Sequence, residues 1–376
     1  MEKLGVGIIG CGNISATYLR LGPLFNSLDT RAVADVDASV AQARADEFGL
    51  RAYSVDDLLA ADDIDVVVNL TVPDAHYDVT RRILQAGKHA FSEKPFVLTV
   101  QQGEALRAIC ADKNLRVGSA PDTFLGGAHQ QARAVIDNGD IGCIVAGSAC
   151  VMSHGMEHWH PNPDFFFQPG AGPVLDVGPY YITNLIQLIG PVQRVAALSS
   201  SATESRTILS EPRKGEEISV NTPTNIHALL EFEQGATITL SASWDIWAHR
   251  RAPMELYGTE GSLFVPDPNF FDGPLDIAGR DGAIVGVPPW EHAFGIANED
   301  HSGIARANYR AVGLADMTQA IAEGRPHRCS LDLALHTVDV MTAILRSGET
   351  GKFVDITTTC ERPAPLDAKA ASNLLS

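Results

Sequence analysis

Positive charge is scarce in this sequence. Lys and Arg number 28 against 46 Asp and Glu, a net charge of −18 with histidine neutral. Such a surface repels phosphate backbones and anionic lipid, so neither nucleic acid nor a membrane is an expected partner. Long apolar runs are missing as well, and none approaches the roughly 18 residues of a membrane span. The six cysteines, Cys11, Cys110, Cys143, Cys150, Cys329 and Cys360, are scattered without a C-x-x-C pair, which argues against a thiolate metal motif or a disulfide framework. Met1 leads within a few residues into the strand-like Val6–Ile9 with no signal-peptide pattern, so reduced thiols in the cytoplasm are the expectation.

What is present is an ordinary folded composition, 45% apolar and 20% charged, over 376 residues. At about 100–200 residues per domain, two domains are expected. Residues 1–120 alternate short apolar runs with helical stretches, the pattern of a doubly wound parallel α/β sheet. Strands are expected at Leu4–Ile9, Ala32–Asp35, Ile64–Leu70, Lys88–Ser92 and Arg116–Ser119, and helices at Ala75–Ala86 and Val100–Asp112. Residues 121–376 read as an α+β domain dominated by antiparallel strands. These are Ile144–Met152, Gln193–Ser201, the hairpin Asn225–Phe232 and Ala236–Trp244 closed by Glu233-Gln234-Gly235, Met254–Tyr257 and Ser262–Val265. Helices are expected at Ala128–Asp137, at about Asp176–Ile189, at Leu314–Glu323 stopped by Gly324, and at Leu331–Arg346 stopped near Gly348. Pro266–Pro289 reads as a long excursion, and the tail after Glu361 as loosely attached.

The strongest local signal follows the first strand: Gly10-Cys11-Gly12-Asn13-Ile14-Ser15 opening the helical Ala16–Leu21. Glycines at the first and third positions allow a tight turn and a close approach of backbone amides to a pyrophosphate, with Asn13 and Ile14 at the helix start. Ser15 stands where a third glycine is usual, and a small residue still permits close helix–strand packing. Asp35 lies 23 residues after Gly12, near the spacing at which an acid meets the adenine-ribose hydroxyls and repels a 2′-phosphate. That favours NAD over NADP. Asp37 competes for this role, although capping the next helix is its plainer reading.

Two further motifs carry a family resemblance: Ser92-Glu93-Lys94-Pro95 after the Lys88–Ser92 strand, and Gly170-Ala171-Gly172-Pro173-Val174-Leu175-Asp176-Val177-Gly178-Pro179-Tyr180. With the glycine turn, they resemble the glucose-fructose oxidoreductase, inositol dehydrogenase and MocA family over nearly the whole chain. The resemblance implies an N-terminal Rossmann domain and a C-terminal domain on a large, open, mostly antiparallel sheet, with the active site between them. It also implies that Lys94 is an acid/base group near the nicotinamide and that Glu93 positions the nicotinamide ribose. Asp176 and Tyr180 keep the four-residue spacing of the family's D-x-G-x-H element, with Tyr in place of the usual His; on one helix they face the same side. Glucose-fructose oxidoreductase and the dimeric dihydrodiol dehydrogenases resemble this chain in having Tyr there. A phenol with an ordinary pKa near 10 passes a proton where a neighbouring ammonium lowers it. The proton-carrying role is therefore divided between Lys94 and Tyr180, with Asp176 orienting one of them or the substrate hydroxyl.

Thr71 and Pro73, beyond the Ile64–Leu70 strand, are expected to line the cofactor, with His76 as a further contact or a structural residue. His154, His158 and Trp159 are expected in a substrate-facing loop; a metal among the histidines of this segment is disfavoured because their spacing matches no compact zinc motif. Trp244, Asp245, Trp247 and His249 are read as cleft or sheet-surface residues. Arg306, Asn308, Tyr309 and Arg310 are placed near substrate or a neighbouring subunit, and Asp122 and Thr123 near the nicotinamide. The expected activity is hydride transfer between NAD and a secondary alcohol of a sugar, inositol or related polyol. Two alternatives are a dinucleotide-binding regulator without turnover and a glycosidase that oxidises, eliminates and re-reduces on one retained NAD. The resemblance also implies a homodimer or homotetramer formed through the open sheet.

Overall fold

The computed structural model describes residues 3–376. Its first part is a six-stranded, wholly parallel sheet in the order β3-β2-β1-β4-β5-β6. The strands are β1 (Leu4–Ile9), β2 (Leu28–Ala34), β3 (Arg51–Tyr53), β4 (Val66–Asn69), β5 (His89–Ser92) and β6 (Val117–Ser119). Connecting them are α1 (Asn13–Leu21), α2 (Ala38–Phe48), α3 (Val55–Ala60), α4 (Pro73–Gln85) and α5 (Val100–Lys113). Val66, Val67 and Val68 of β4 are all buried, as expected of a central strand covered by helices on both faces. The edge strand β3 escaped the sequence reading, because Arg51-Ala52-Tyr53 is too short and too exposed to show apolar alternation. Asp37 caps α2 by accepting from the Ser39 amide, so the plainer reading of that residue holds.

The second part begins with α6 (Gly127–Asp137), β7 (Ile144–Met152), α7 (Pro173–Asp176), α8 (Gly178–Ile189), β8 (Val192–Ser200), β9 (Ser205–Thr207) and β10 (Glu217–Ser219). It continues with β11 (Asn225–Phe232), β12 (Thr237–Ser243), β13 (Met254–Gly258), β14 (Ser262–Val265), β15 (Asp276–Ala278) and β16 (Ile284–Gly286). After the small hairpin of β17 (Glu299–His301) and β18 (Ile304–Arg306) come α9 (Val312–Glu323), α10 (Leu331–Thr350), β19 (Val354–Asp355) and α11 (Ala368–Ser372). A nine-stranded sheet, β16-β15-β14-β13-β7-β12-β11-β8-β19, is antiparallel throughout except where β12 runs parallel to β7. Both sheets match the fold class expected from the sequence.

Several expectations need correction. The single helix at 176–189 is two, broken at Val177. Pro179 has no amide to donate and its ring clashes with the carbonyl four residues back, so it is tolerated only in the first turn of a new helix. Helix α10 runs through Gly348 to a left-handed Gly351, because Gly348 is the contact point with the sheet: a Cβ there would lie 2.6 Å from Ser199 Oγ. The excursion Pro266–Pro289 holds β15 and β16, which extend the sheet edge. The tail is also firmly held. Leu366 and Leu374 are buried, Leu375 bridges to Phe25, and the Ser376 amide donates to the Leu24 carbonyl.

Helix α10 is the element shared by the two sheets, packing on β8 at one side and on β6 and α5 at the other. A Cβ on Gly103 of α5 would come within 2.5 Å of Leu335 Cδ1, so the two helices meet almost backbone to side chain. A second junction lies beyond β6, where the buried Asp122 accepts from the Gly313 amide in the first turn of α9. Burial pushes the Asp122 carboxyl up to about 6 from 3.8, against the pull of that amide and of Arg310. Folding therefore raises its proton affinity, and the contribution of Asp122 to stability falls as pH climbs from about 4 through 6. Asp122→Asn does not titrate and keeps an acceptor for the amide. The stability of this variant relative to wild type should rise between pH 4 and pH 7 in urea denaturation. A flat difference over that range would show that the carboxyl has ordinary acidity.

Candidate active site

The carboxyl ends of β1, β4, β5 and β6 deliver the signature residues to one edge of the parallel sheet, where ligands of open α/β folds lie. Gly10 has φ +99° and would drive a Cβ to 2.6 Å from the Leu70 carbonyl carbon, so the turn after β1 closes only on glycine. Gly12 has no atom within 4 Å of its Cβ position and opens the turn on its free side. It also caps α1 without any side-chain hydrogen bond, which leaves the first-turn amides near Asn13 and Ile14 free of a side-chain cap. Ser15 is fully buried and donates to the Gly12 carbonyl at 2.7 Å, filling the third-glycine position without widening the helix–strand gap. Asp35 braces the turn from β2, its Oδ2 accepting from the Cys11 amide at 2.7 Å and its Oδ1 from the Asp37 amide at 3.0 Å. Each of these oxygens retains a lone pair for a ribose hydroxyl. An open turn, an uncapped helix start and a carboxylate beside them fit a dinucleotide.

Arg44 escaped the sequence reading. Its Nη2 donates to the Cys11 and Gly12 carbonyls at 3.3 and 3.2 Å while Nη1 pairs with Glu47 at 2.6 Å. Nothing in the local pattern of α2 marks an Arg that reaches back to the glycine turn.

Glu93 and Lys94 follow β5. The Glu93 carboxylate accepts from the Tyr18 hydroxyl at 3.0 Å through Oε1 and from the Lys94 amide at 3.0 Å through Oε2. The Lys94 ammonium crosses to the second part of the chain, donating to the Asp176 carbonyl and to Asp176 Oδ1, both at 2.8 Å. It also lies 5.3 Å from the centroid of the Tyr180 ring. Asp176 closes α7 and Tyr180 stands in the first turn of α8, so the break at Val177 places both against Lys94 instead of one turn apart on a single helix. The side chains of Lys94 and Asp176 are 18% and 24% exposed, so the pair is sheltered but reachable. Burial opposes the ammonium charge, yet the Asp176 carboxylate, backed by Tyr180 and Glu93, outweighs it and holds Lys94 above its usual range. Two of the three ammonium donors are engaged by Asp176, which leaves one for a substrate oxygen.

Thr71 and Pro73 stand partly exposed beyond β4, with Thr71 Oγ1 donating to Asn69 Oδ1 at 2.7 Å. His76 does not reach the cleft. It is 1% exposed, and its ring nitrogens lie 2.7 Å from the Pro95 carbonyl and 3.0 Å from the Thr71 carbonyl. It ties the loop after β4 to the loop after β5, and the expected cofactor contact is corrected to that structural role. Asp122 and Thr123 are buried behind the site.

The segment that carries His154, His158 and Trp159 is tied to β9. Arg206 holds their segment against β9, pairing with Glu157 at 2.6 Å and with Asp245, and donating to the His154 carbonyl at 2.9 Å. His154 stacks on the exposed Trp247 at 3.3 Å, and the two line a hollow of about 630 Å³ with His158 and His249. Trp159 is 56% exposed and meets His160 edge-on. Among the described residues, no hydrogen bond or ion pair joins these three to Lys94, Asp176 or Tyr180. Trp244 is buried against Phe166 and Phe167.

Arg310 does join the site. Its guanidinium faces Tyr180, Asp122 and Glu93 from the segment before α9. The sequence flagged its neighbourhood but offered no geometry, since only the long connection from β18 to α9 carries it there.

Comparison with known proteins agrees with this arrangement. Residues 4–120 match the model of an oxidoreductase family with an NAD-binding Rossmann fold, and residues 129–264 match the GFO/IDH/MocA C-terminal domain. An uncharacterised oxidoreductase of Schizosaccharomyces pombe is 31% identical over 42% of this chain and 42% of its own, and a second from that organism is 26% identical over 45% and 48%. The alignment thus spans less than half the length of these curated relatives. Levoglucosan dehydrogenase of Pseudarthrobacter phenanthrenivorans is 25% identical over 95% of this chain and 99% of its own. A solved apo form of a levoglucosan dehydrogenase superposes with TM-score 0.81 at 24% identity, covering 96% of this chain and 100% of that one. An NAD-binding oxidoreductase from Klebsiella pneumoniae gives TM-score 0.80 at 21% identity, covering 95% and 99%. With both parts matched by models of one family, this chain belongs to the GFO/IDH/MocA oxidoreductases.

Proposed function

We propose that this protein transfers hydride between NAD and a secondary alcohol of a sugar or polyol at the junction of Lys94, Asp176 and Tyr180. Residues 1–120 hold the dinucleotide and residues 121–376 the substrate. The observation that carries the reading is the Lys94 ammonium, bound twice by Asp176 at 2.8 Å and facing Tyr180, on the strand ends that also carry the glycine turn. The relatives named for levoglucosan and inositol dehydrogenation support the substrate class.

Gly10, Gly12, Asn13 and Ile14 would take the pyrophosphate, Asp35 the adenine ribose, Thr71 and Pro73 the face of the cofactor, and Glu93 the nicotinamide ribose. When bound, NAD supplies the hydride acceptor or donor. Lys94 directs its remaining N–H at the substrate oxygen, while Asp176 fixes the direction of that donor. Because the ion pair keeps Lys94 protonated, it is loaded to give a proton to a ketone oxygen. In the opposite direction it must first lose its proton, so alcohol oxidation should speed up as pH rises and ketone reduction should slow. Tyr180 stands beside the same oxygen and shares the proton's path.

Lys94→Ala should cut kcat by at least 10²-fold, the usual scale for a lost acid/base group, while NADH binding measured by fluorescence persists. Full turnover in that variant would remove the lysine from the mechanism. Asp35→Ser lifts the repulsion of a 2′-phosphate and should move the NAD/NADP ratio of kcat/KM toward NADP by roughly tenfold or more. An unmoved ratio would place the adenosine elsewhere. Association through the open sheet is part of the same reading, because Leu198 and Leu229 stand exposed on adjacent strands β8 and β11. Light scattering at micromolar concentration should give the mass of a dimer or tetramer; a monomer mass would refute it.

A further inference from the structure

The glycine turn after β1 is held by two side chains of opposite charge. Asp35 accepts from the Cys11 amide at 2.7 Å. Arg44, from the middle of α2, donates through Nη2 to the Cys11 carbonyl at 3.3 Å and to the Gly12 carbonyl at 3.2 Å. The Cys11 thiol between them feels both, since Asp35 pushes it up and Arg44 pulls it down. Arg44 is not a cation waiting for a ligand. Its Nη1 pairs with Glu47 at 2.6 Å, and the guanidinium lies 6.0 Å from the centroid of the Phe48 ring. Among the described residues its buried Nε has no acceptor. Burying an N–H in that way costs stability, which directs attention to what the two bonds to the turn achieve.

They fix the direction of the turn's amides. The peptides here are trans, and in a trans peptide the C=O and the N–H point opposite ways. With the Cys11 and Gly12 carbonyls turned toward Arg44, the Gly12 and Asn13 amides are turned away from it. Ser15 also holds the Gly12 carbonyl, through its amide at 3.2 Å and its hydroxyl at 2.7 Å. The Cys11 carbonyl has no donor but Arg44 among the described residues. Neither the Gly12 nor the Asn13 amide has an acceptor among those residues, and both residues are exposed on the side where the Cβ position of Gly12 meets nothing.

We propose that Arg44 is a positioning residue for the dinucleotide: without touching it, the guanidinium holds two peptide planes so that the Gly12 and Asn13 amides face the pyrophosphate. Donors fixed in advance spare the cost of ordering the turn when the anion arrives. The inference rests on the reading of this turn as the pyrophosphate site.

The test measures NADH binding by fluorescence titration, and binding of ADP-ribose and adenosine by displacement of NADH, for wild type, Arg44→Met and Arg44→Lys. Arg44→Met keeps an apolar stem and loses the donors, so its affinity for NADH and ADP-ribose should fall about tenfold, the scale of one hydrogen bond from a charged group. Adenosine, which carries no phosphate, should bind as it does to wild type. Arg44→Lys keeps the charge without the planar fork and should still lose affinity for NADH by roughly threefold or more. Unchanged NADH affinity in Arg44→Met overturns the proposal. Full affinity in Arg44→Lys also overturns it, by making the arginine a point charge that acts on the phosphates directly. A parallel loss of adenosine binding does the same, by placing the effect at the ribose or in the packing of α2. If Arg44→Met does not fold, the lysine variant decides by the same criteria. A wild-type protein that binds neither NADH nor ADP-ribose would instead remove the pyrophosphate reading, and this proposal with it.

Discussion

The ion pair between Lys94 and Asp176 joins the two halves of this protein at the one point where chemistry is expected. Lys94 is carried by the loop after β5 of the parallel sheet, and Asp176 by the last residue of a one-turn helix that precedes α8. Neither half holds the pair alone, so the geometry depends on how the halves are docked. Helix α10, wedged between the sheets, and Asp122, reaching from β6 to α9, set that docking. A small rotation about α10 would lengthen a 2.8 Å contact before it disturbed either core.

Much of this was legible in the sequence, and the physical reasons for what was not are specific. Buried parallel strands such as β4 are nearly continuous apolar runs, and glycine turns tolerate few substitutions, so the dinucleotide half announces itself through local pattern. Lys94 and Asp176 were found through short motifs. Pro179 already demanded the first turn of a helix, but the one-turn helix before Val177 is too short to carry a pattern of its own. Gly348 read as a stop, although its missing side chain serves close packing on Ser199. Arg44 was beyond reach as a site residue, because an isolated arginine has no local signature; Arg310 was flagged with its neighbours, but long-range folding alone sets it facing Tyr180. The histidines near residue 154 were expected in a substrate-facing loop by their density; Arg206 ties their segment to Trp244 and Asp245, and His154 and His158 line a hollow there with Trp247.

Electrostatically, an acidic protein concentrates its few useful cations. The net charge is −18, yet Lys94 and Arg310 both face Tyr180, with Asp176, Asp122 and Glu93 beside them. Repulsion between exposed charges fades within about a Debye length, while contact donors act at hydrogen-bond distance.

The docked tail has a consequence for how the molecule is assembled. Leu374, Leu375 and Ser376 bond along Leu24, Phe25 and Asn26, residues that lie just after the first helix. During synthesis the parallel-sheet half leaves the ribosome long before these leucines exist, and it must fold with the Phe25 surface uncovered. The tail is a late-arriving cover for that surface.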